Sequence, residues 1–375
     1  MMIPVNEPLL AGNEAKYLQD CIQTGWISSE GPFIKRMEDE FAKVTRRKYG
    51  IAVCNGTAAL VTAFQALNLP KGSEVIMPTF CIISCAIAVL QAGLVPVLVD
   101  SEPQTWNMNP GELESKLTKK TRAILVVHTY GHPVLMDPVL DFARRHNLLI
   151  VEDAAEMLGQ EYKGQPCGNF GVISCFSMYA NKIVTSGEGG MIVTDDEHLA
   201  QKCSDLRNLC FQPKRRFLHE ELGFNFRITN LQAAVGLAQL ERLHDFKRIK
   251  RRMGEVYNQA FAGMAEIEVL SARTSYSENI YWVYGLLLSK GAPFGPEVMA
   301  AKLQSLGVST RPFFVGMHQQ PVLVKRGLFS NGTYPVADRL TSRGLYLPSG
   351  LALTEQQQQE VIAKVRLVFS AHVAN

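Results

Sequence analysis

From Ile51 onward the chain alternates short apolar runs with helical patterns, and this alternation narrows the choice of fold more than any other feature. Runs at 50–53, 74–77, 95–99, 122–127, 148–152, 172–176 and 190–194 read as strands, with helical periodicity near 57–67, 81–92, 110–118 and 136–146 between them. Repeated strand, helix, strand units imply an α/β fold with a mostly parallel sheet covered by helices on both faces. In such sheets ligands sit at the carboxyl ends of the strands, so polar residues that directly follow an apolar run are the ones to examine. Ahead of the alternation lie an extended entry at 3–7 and helical patterns near 12–23 and 33–46. A turn-rich linker, Gly25 to Pro32, joins those two patterns and carries Trp26, Ser28 and Ser29.

The 375 residues, 47% of them hydrophobic, suffice for a large domain and a smaller one. A long helix is expected from Thr229, where Thr-Asn-Leu-Gln has the capping-box spacing; farther on it gathers Lys247, Arg248, Lys250, Arg251 and Arg252. That run is short and the net charge is only +3, which favours a solvated helix face over nucleic-acid binding. From about residue 255 the pattern becomes α+β, with a strand at 281–287, a helix at 295–306, a turn at Gly307 and a closing helix at 354–369. The expected division is therefore 1–254 and 255–375, the N-terminal segment being free to pack on the smaller unit. The apolar run 81–99 is as long as a membrane span, but Gln91, Gly93 and Pro96 divide it into a helix and a strand. The eight cysteines form no CxxC pair and read as reduced core thiols. MMIPVNEPLL lacks the pattern of a secretory signal. The expectation is a cytoplasmic protein with a small-molecule partner, without membrane, nucleic acid or metal.

Three features follow predicted strands. Asn55-Gly56-Thr57-Ala58 joins a strand to a helix, either as a simple tight turn or as a cup whose amides and Thr57 hydroxyl meet an anion such as phosphate. Asp153 follows the run 148–152, with Glu156 one turn on; the pair is either a helix cap or a ligand for a protonated ring nitrogen, which would offset the carboxylate's lost hydration. Lys182 lies beyond the run ending near Ser177, in a loop of small and polar residues that continues into Gly187-Glu188-Gly189-Gly190. A Schiff-base amine, an acid for a pyridinium nitrogen and a phosphate cup are together what pyridoxal 5'-phosphate binding requires. The amine must also shed its proton, through desolvation or neighbouring cations.

Four ordered motifs, NGTAAL, VEDAAEMLG, FSMYANK with GEGG, and GFNFRITNLQAA, resemble the sugar-nucleotide aminotransferases of the DegT and StrS type, over nearly the whole chain. The resemblance implies an aspartate-aminotransferase-type fold (fold type I) and a homodimer with its sites at the subunit interface. It makes Lys182 the Schiff-base residue and proton shuttle, and Asp153 the partner of the pyridine nitrogen. Glu156 stands where many relatives have a glutamine near the ring hydroxyl. Gly56, Thr57 and Ser177 match the phosphate contacts, and Asn225, with Arg227, would reach that phosphate from the other subunit. Ile82 and Cys81 depart from the family's aromatic and threonine at those positions, which leaves the cover of that ring face open.

The implied reaction passes an amine from L-glutamate, leaving 2-oxoglutarate, to the C4 ketone of a nucleotide-linked 4-keto-6-deoxyhexose, with ping-pong kinetics. NKIVTSGEGG, Glu156 and STRPFF with His318 are most similar to the members acting on GDP-linked sugars; UDP- or dTDP-linked sugars, or a regulatory protein without turnover, are the alternatives. Candidates for the substrate are Arg311 and, in the Pro213 loop, Lys214, Arg215 and Arg216 for the diphosphate. Phe313, Phe314 and His318 are candidates for the sugar or base pocket, with core packing the alternative and the favoured reading for Phe313, and Trp26, Ser28 and Ser29 either cover the site or form a structural turn. His128 and His132 flank a strand end and read as structural.

Overall fold

The computed structural model describes residues 2–212, 214–329 and 332–373; Pro213, around which a basic substrate loop was expected, lies outside them. A seven-stranded sheet is built from β1 (Tyr49–Val53), β2 (Glu74–Pro78), β3 (Val95–Val99), β4 (Thr121–Val127), β5 (Leu149–Asp153), β6 (Ile173–Ser177) and β7 (Gly190–Thr194). Its spatial order is β1-β7-β6-β5-β4-β2-β3. The neighbours from β6 through β3 are parallel, and β7 runs antiparallel to both β1 and β6. Alternate residues serve opposite faces, as a two-residue repeat dictates. Ile51, Val53 and Ile192 pack with the helix Gly56–Ala66, while Ala52, Met191 and Val193 pack with Phe33, Met37 and Phe41 of the helix Pro32–Val44. With helices on both sides, the strands read as unbroken apolar runs.

Four short antiparallel strands form a second sheet in the C-terminal third: β8 (Ile267–Val269), β9 (Tyr284–Leu288), β10 (Arg311–Pro312) and β11 (Gly344–Leu347), in the order β8-β9-β11-β10. Helices Pro296–Ser305 and Glu355–Val373 cover it. Ile3 is buried in the same cluster and bridges in parallel to Val308.

Several expectations need correction. The helix expected at 81–92 starts only at Ser84, and the 110–118 pattern is a 3-10 turn, Pro110–Glu112, followed by the single turn Leu113–Lys116. The long helix from Thr229 is two helices, Asn230–Leu240 and Leu243–Phe261, although its capping box is present as expected. The first is buried on most of its surface between neighbouring helices, whereas the second carries one apolar stripe, and the helix is interrupted at Glu241 and Arg242 between them. Side chains of Asn13 and Tyr17 hold Glu241 at the break. The second helix is continuous through residues 254 and 255, and its basic run is not one solvated face, because Lys250 points inward and is buried. All eight cysteines are free, and among the described residues no helix is long and apolar enough to cross a membrane.

Candidate active site

The carboxyl ends of β1, β5 and β6 open on one cavity of about 600 Å3. On the β1 side, Asn55 caps the helix Gly56–Ala66, its Oδ1 accepting from Ala58 N at 2.8 Å. Gly56, Thr57 and Ala58 line the cavity, so a helix N-terminus with its unshared amides borders it. A Cβ on Gly56 would lie 2.9 Å from Ser177 Cβ, so the bare backbone lets the end of β6 close against the cup. Thr57 Oγ1 shares a hydrogen bond with Ser84 Oγ at 2.8 Å, which aligns two hydroxyls at the rim.

No helix starts after β5, so the cap alternative for Asp153 and Glu156 falls. Asp153 is buried; its Oδ1 accepts from Ala155 N at 3.1 Å and its Oδ2 from the Cys85 thiol at 3.2 Å. Burial raises its pKa above the usual carboxylate range, and those bonds only partly offset it. Glu152, one residue earlier, faces the other side of the strand. Burial would raise it too, but hydrogen bonds from His128 Nε2 and the amides of Gly168 and Phe170 bring it below the ordinary value. Glu156 Oε2 accepts from Tyr130 N at 2.8 Å, and burial pushes its pKa up to about 7.

Lys182 sits in the loop joining β6 to β7, pinned at its base by Met178 N donating to Gly189 O at 2.8 Å. Its side chain is only 12% exposed, and Nζ lies 3.9 Å from Glu156 Oε1 and 3.8 Å from the centre of the Trp282 ring. Burial lowers its pKa, with Glu156 and Asp153 pulling the other way. A desolvated amine beside two buried carboxyls sheds its proton more readily than an exposed lysine, as a nucleophile or base must.

The remaining expected residues spread over three places. Ser29 and Arg227 line a different cavity, of about 720 Å3, with Arg207 and Arg216. Arg227 Nη1 donates to Asn208 Oδ1 at 2.9 Å, and Asn225 bridges to Asn208. Trp26 is half exposed on the surface, its carbonyl accepting from Asn230 Nδ2. Arg311 is exposed on the edge strand β10, in register with Tyr346, which does line the first cavity. Phe313 and His318 do not line it. Phe313 is core, with ring centres 5.2 Å from Trp106 and 4.6 Å from Tyr130, and the adjacent Phe314 takes its place at the wall. His318 commits both ring nitrogens, Nδ1 to Thr79 Oγ1 at 2.7 Å and Nε2 to Asp338 Oδ1 at 2.8 Å. His132 is likewise bonded to Ser277 and Ser271, whereas His128 reaches the cavity wall while bonded to Glu152. Ile82 is 41% exposed and lines the cavity.

Trp282, Tyr179 and Cys85 went unread in the sequence. Trp282 had a faint signal, as an indole in the apolar run YWVYG, expected as part of a strand at 281–287 that in the structure begins only at Tyr284.

Residues 8–366 match the DegT/DnrJ/EryC1/StrS aminotransferase family. The chain belongs to this family. It is 40% identical over 361 residues to a GDP-perosamine synthase of Caulobacter vibrioides, covering 96% of each chain, and 37% identical over 355 residues to one of Escherichia coli O157:H7, covering 95% of each. The crystal structure of an aminotransferase from Psychrobacter cryohalolentis superposes with a TM-score of 0.92 at 29% identity, over the full length of both chains. The fold is accordingly the type I fold of these enzymes, and the protein is an aminotransferase dependent on pyridoxal 5'-phosphate. The cavity fits that cofactor: it offers a helix start bare of side chain at Gly56, a buried carboxylate at Asp153 and a desolvated amine at Lys182.

Proposed function

We propose that this aminotransferase moves the amino group of L-glutamate to C4 of GDP-4-keto-6-deoxy-D-mannose, giving GDP-perosamine and 2-oxoglutarate for O-antigen synthesis in the cytoplasm. The observation that carries the chemistry is the Lys182 amine, buried 3.9 Å from Glu156 and 3.8 Å from the Trp282 ring at the strand ends. Support for the sugar comes from two relatives named GDP-perosamine synthase, each aligned over nearly its whole length.

In this reading Lys182 would be the amine that holds the cofactor and, once released, the base that moves the proton of the amino donor. Bound pyridoxal phosphate supplies the carbonyl that takes up the amine and a ring that withdraws electrons. Asp153 would pair with the ring nitrogen, since a proton on that nitrogen would offset the cost of burying the carboxylate. Glu156 would serve the ring hydroxyl. Gly56, Thr57 and Ser177 hold the phosphate, with Asn225 and Arg227 reaching it from the second subunit of a homodimer. Separation of Arg227 and Ser29 from the Lys182 cavity within one chain supports that assignment, since their own cavity already gathers Arg207 and Arg216. Trp26, Ser29, Arg311, Phe313 and His318 remain the substrate candidates. Of these, Phe313 and His318 would act only through neighbours, because the first is core and the second is bonded to Thr79 and Asp338.

Borohydride treatment of the cofactor-loaded protein should fix the cofactor to Lys182, and labelling of a different lysine would sink the mechanism. Offering GDP-, UDP- and dTDP-linked 4-keto-6-deoxyhexoses with L-glutamate tests the sugar. Amination of only the UDP or dTDP compound overturns the perosamine assignment.

A further inference from the structure

One buried amine lies outside the chemistry just described. Lys250 falls on the apolar stripe of the helix Leu243–Phe261, with Phe246, Met253 and Tyr257, all of them buried. A lysine is almost never fully buried without a compensating partner, and here the hydrogen bonds of its amine go to two backbone carbonyls: that of Trp282, at 2.7 Å, and that of Ser349. Burial lowers its pKa to about 7, so the amine readily sheds its charge, while its N–H groups stay bonded to the two carbonyls.

Both carbonyls are at informative places. Trp282 lies just ahead of β9, its indole N–H donates to Asn181 O at 2.9 Å, and its ring covers the amine of Lys182 at 3.8 Å. Ser349 lies just past β11; its Oγ accepts from Tyr284 N at 3.1 Å, and its N–H donates to Val5 O at 3.0 Å. From the same helix, Tyr257 Oη donates to Pro348 O at 2.8 Å. One amine thus fastens the entry to β9 against the exit of β11, and the entry to β9 carries the lid over Lys182. A leucine or methionine would fill the same volume and leave both carbonyls without this donor.

We infer that Lys250 is a positioning residue, which by holding the Trp282 and Ser349 carbonyls keeps the Trp282 indole over Lys182. The inference rests on Lys182 being the reacting amine. What it adds is the mechanical link: the covering ring is set from beneath by a side chain that itself never reaches the cavity. Because burial is the main cause of the lowered Lys182 pKa, a ring free to move would admit water and let that pKa rise toward its ordinary value.

The test uses the full chain, first loaded with cofactor and trapped with borohydride, which identifies the reacting lysine independently. Cofactor-free protein is then pulsed with a limiting acylating reagent between pH 6 and 10, and the modified fraction at Lys182 is read by peptide mass spectrometry. In Lys250→Met the midpoint for Lys182 should rise, with a matching rise in Trp282→Leu and no further rise in the double variant. Lys250→Gln keeps N–H donors for the carbonyls and should fall between wild type and Lys250→Met. Trapping at a lysine other than 182 refutes the reading of the site, whatever the variants do. Trapping at Lys182 with an unmoved midpoint in folded Lys250→Met overturns the positioning inference alone. So do additive shifts in the double variant. If neither Lys250→Met nor Lys250→Gln folds, Lys250 serves stability and the inference is also overturned.

Discussion

The glycines of the GEGG loop make different demands, and replacing them one at a time separates what holds the fold from what shapes the cofactor cup. Gly190 opens β7 and pairs with Val53 at the end of β1. An added Cβ there falls 2.5 Å from the carbonyl carbon of Asn55, closer still to its oxygen, and 3.0 Å from Gly56 N. These atoms are backbone, so relief to an ordinary contact of about 3.5 Å requires the Asn55–Gly56 segment to move by roughly 1 Å. Overpacking of this kind costs about 1–3 kcal/mol, and the rigidity of the neighbour puts Gly190→Ala near the top of that range. The moved segment is the helix start proposed to hold the cofactor's phosphate. Loss of one N–H donor to a charged acceptor, worth about 1.5–3 kcal/mol, should weaken pyridoxal phosphate binding by roughly ten- to a hundredfold. Gly187 is the control: its φ is +80 with no atom within 4 Å of a built Cβ. Gly187→Ala therefore loses about 1–2 kcal/mol through backbone strain, with cofactor affinity unchanged. Urea melts give the stabilities and absorbance titration with the cofactor gives the affinities. A Gly190→Ala protein that binds cofactor as wild type does, or a Gly187→Ala protein that loses affinity equally, would refute the argument.

Further outcomes concern the buried carboxylates. The folded pKa of Glu156 is raised from 4.5 to about 7. The native state therefore keeps a proton that the unfolded chain has lost, and this contribution to stability is full below pH 4.5 and disappears as pH rises through 7. Between pH 5 and 8 the cofactor-free wild type should lose on the order of 3 kcal/mol relative to Glu156→Gln, measured by urea denaturation at both pH values; parallel pH profiles would contradict the assignment. In the same variant Lys182 loses the carboxylate that most favours its charged form, so its acylation midpoint should fall below wild type. Glu152→Ala strands donors from His128, Gly168, Phe170 and Ser174 in the core and should cost about 3–5 kcal/mol by urea denaturation. A loss under 1 kcal/mol would show that water replaces the carboxylate there.

The sheet was legible because strands covered on both faces leave an unbroken apolar run, and each expected run lies within a residue or two of an observed strand. Asp153 and Lys182 were legible by position, each directly beyond such a run or its loop. The break after Leu240 was not, since helical periodicity continues across it, while the partners of the first helix, Glu14–Thr24 and Pro32–Val44, lie some two hundred residues earlier. Trp282 was hidden for another reason: its role depends on a lysine a hundred residues away, which no local pattern encodes. Lys250 could have been found. The spacing of Phe246, Lys250, Met253 and Tyr257 places it on the inward stripe, but the neighbouring Arg248, Arg251 and Arg252 invite averaging the whole run into a surface.

The bridge between Ile3 and Val308 also sets an order of assembly. On the ribosome the last strand of the large sheet, ending at Thr194, emerges well before β9 or β11, so the loop of Lys182 can form while the indole that will cover it is still unmade. Ile3 waits longer: the N–H and C=O that bond Gly307 and Ser309 stay without those partners for roughly three hundred residues of synthesis. Ile3 is seated only once a segment some three hundred residues farther along has been made, and the indole is laid over Lys182 after the sheet beneath it is complete.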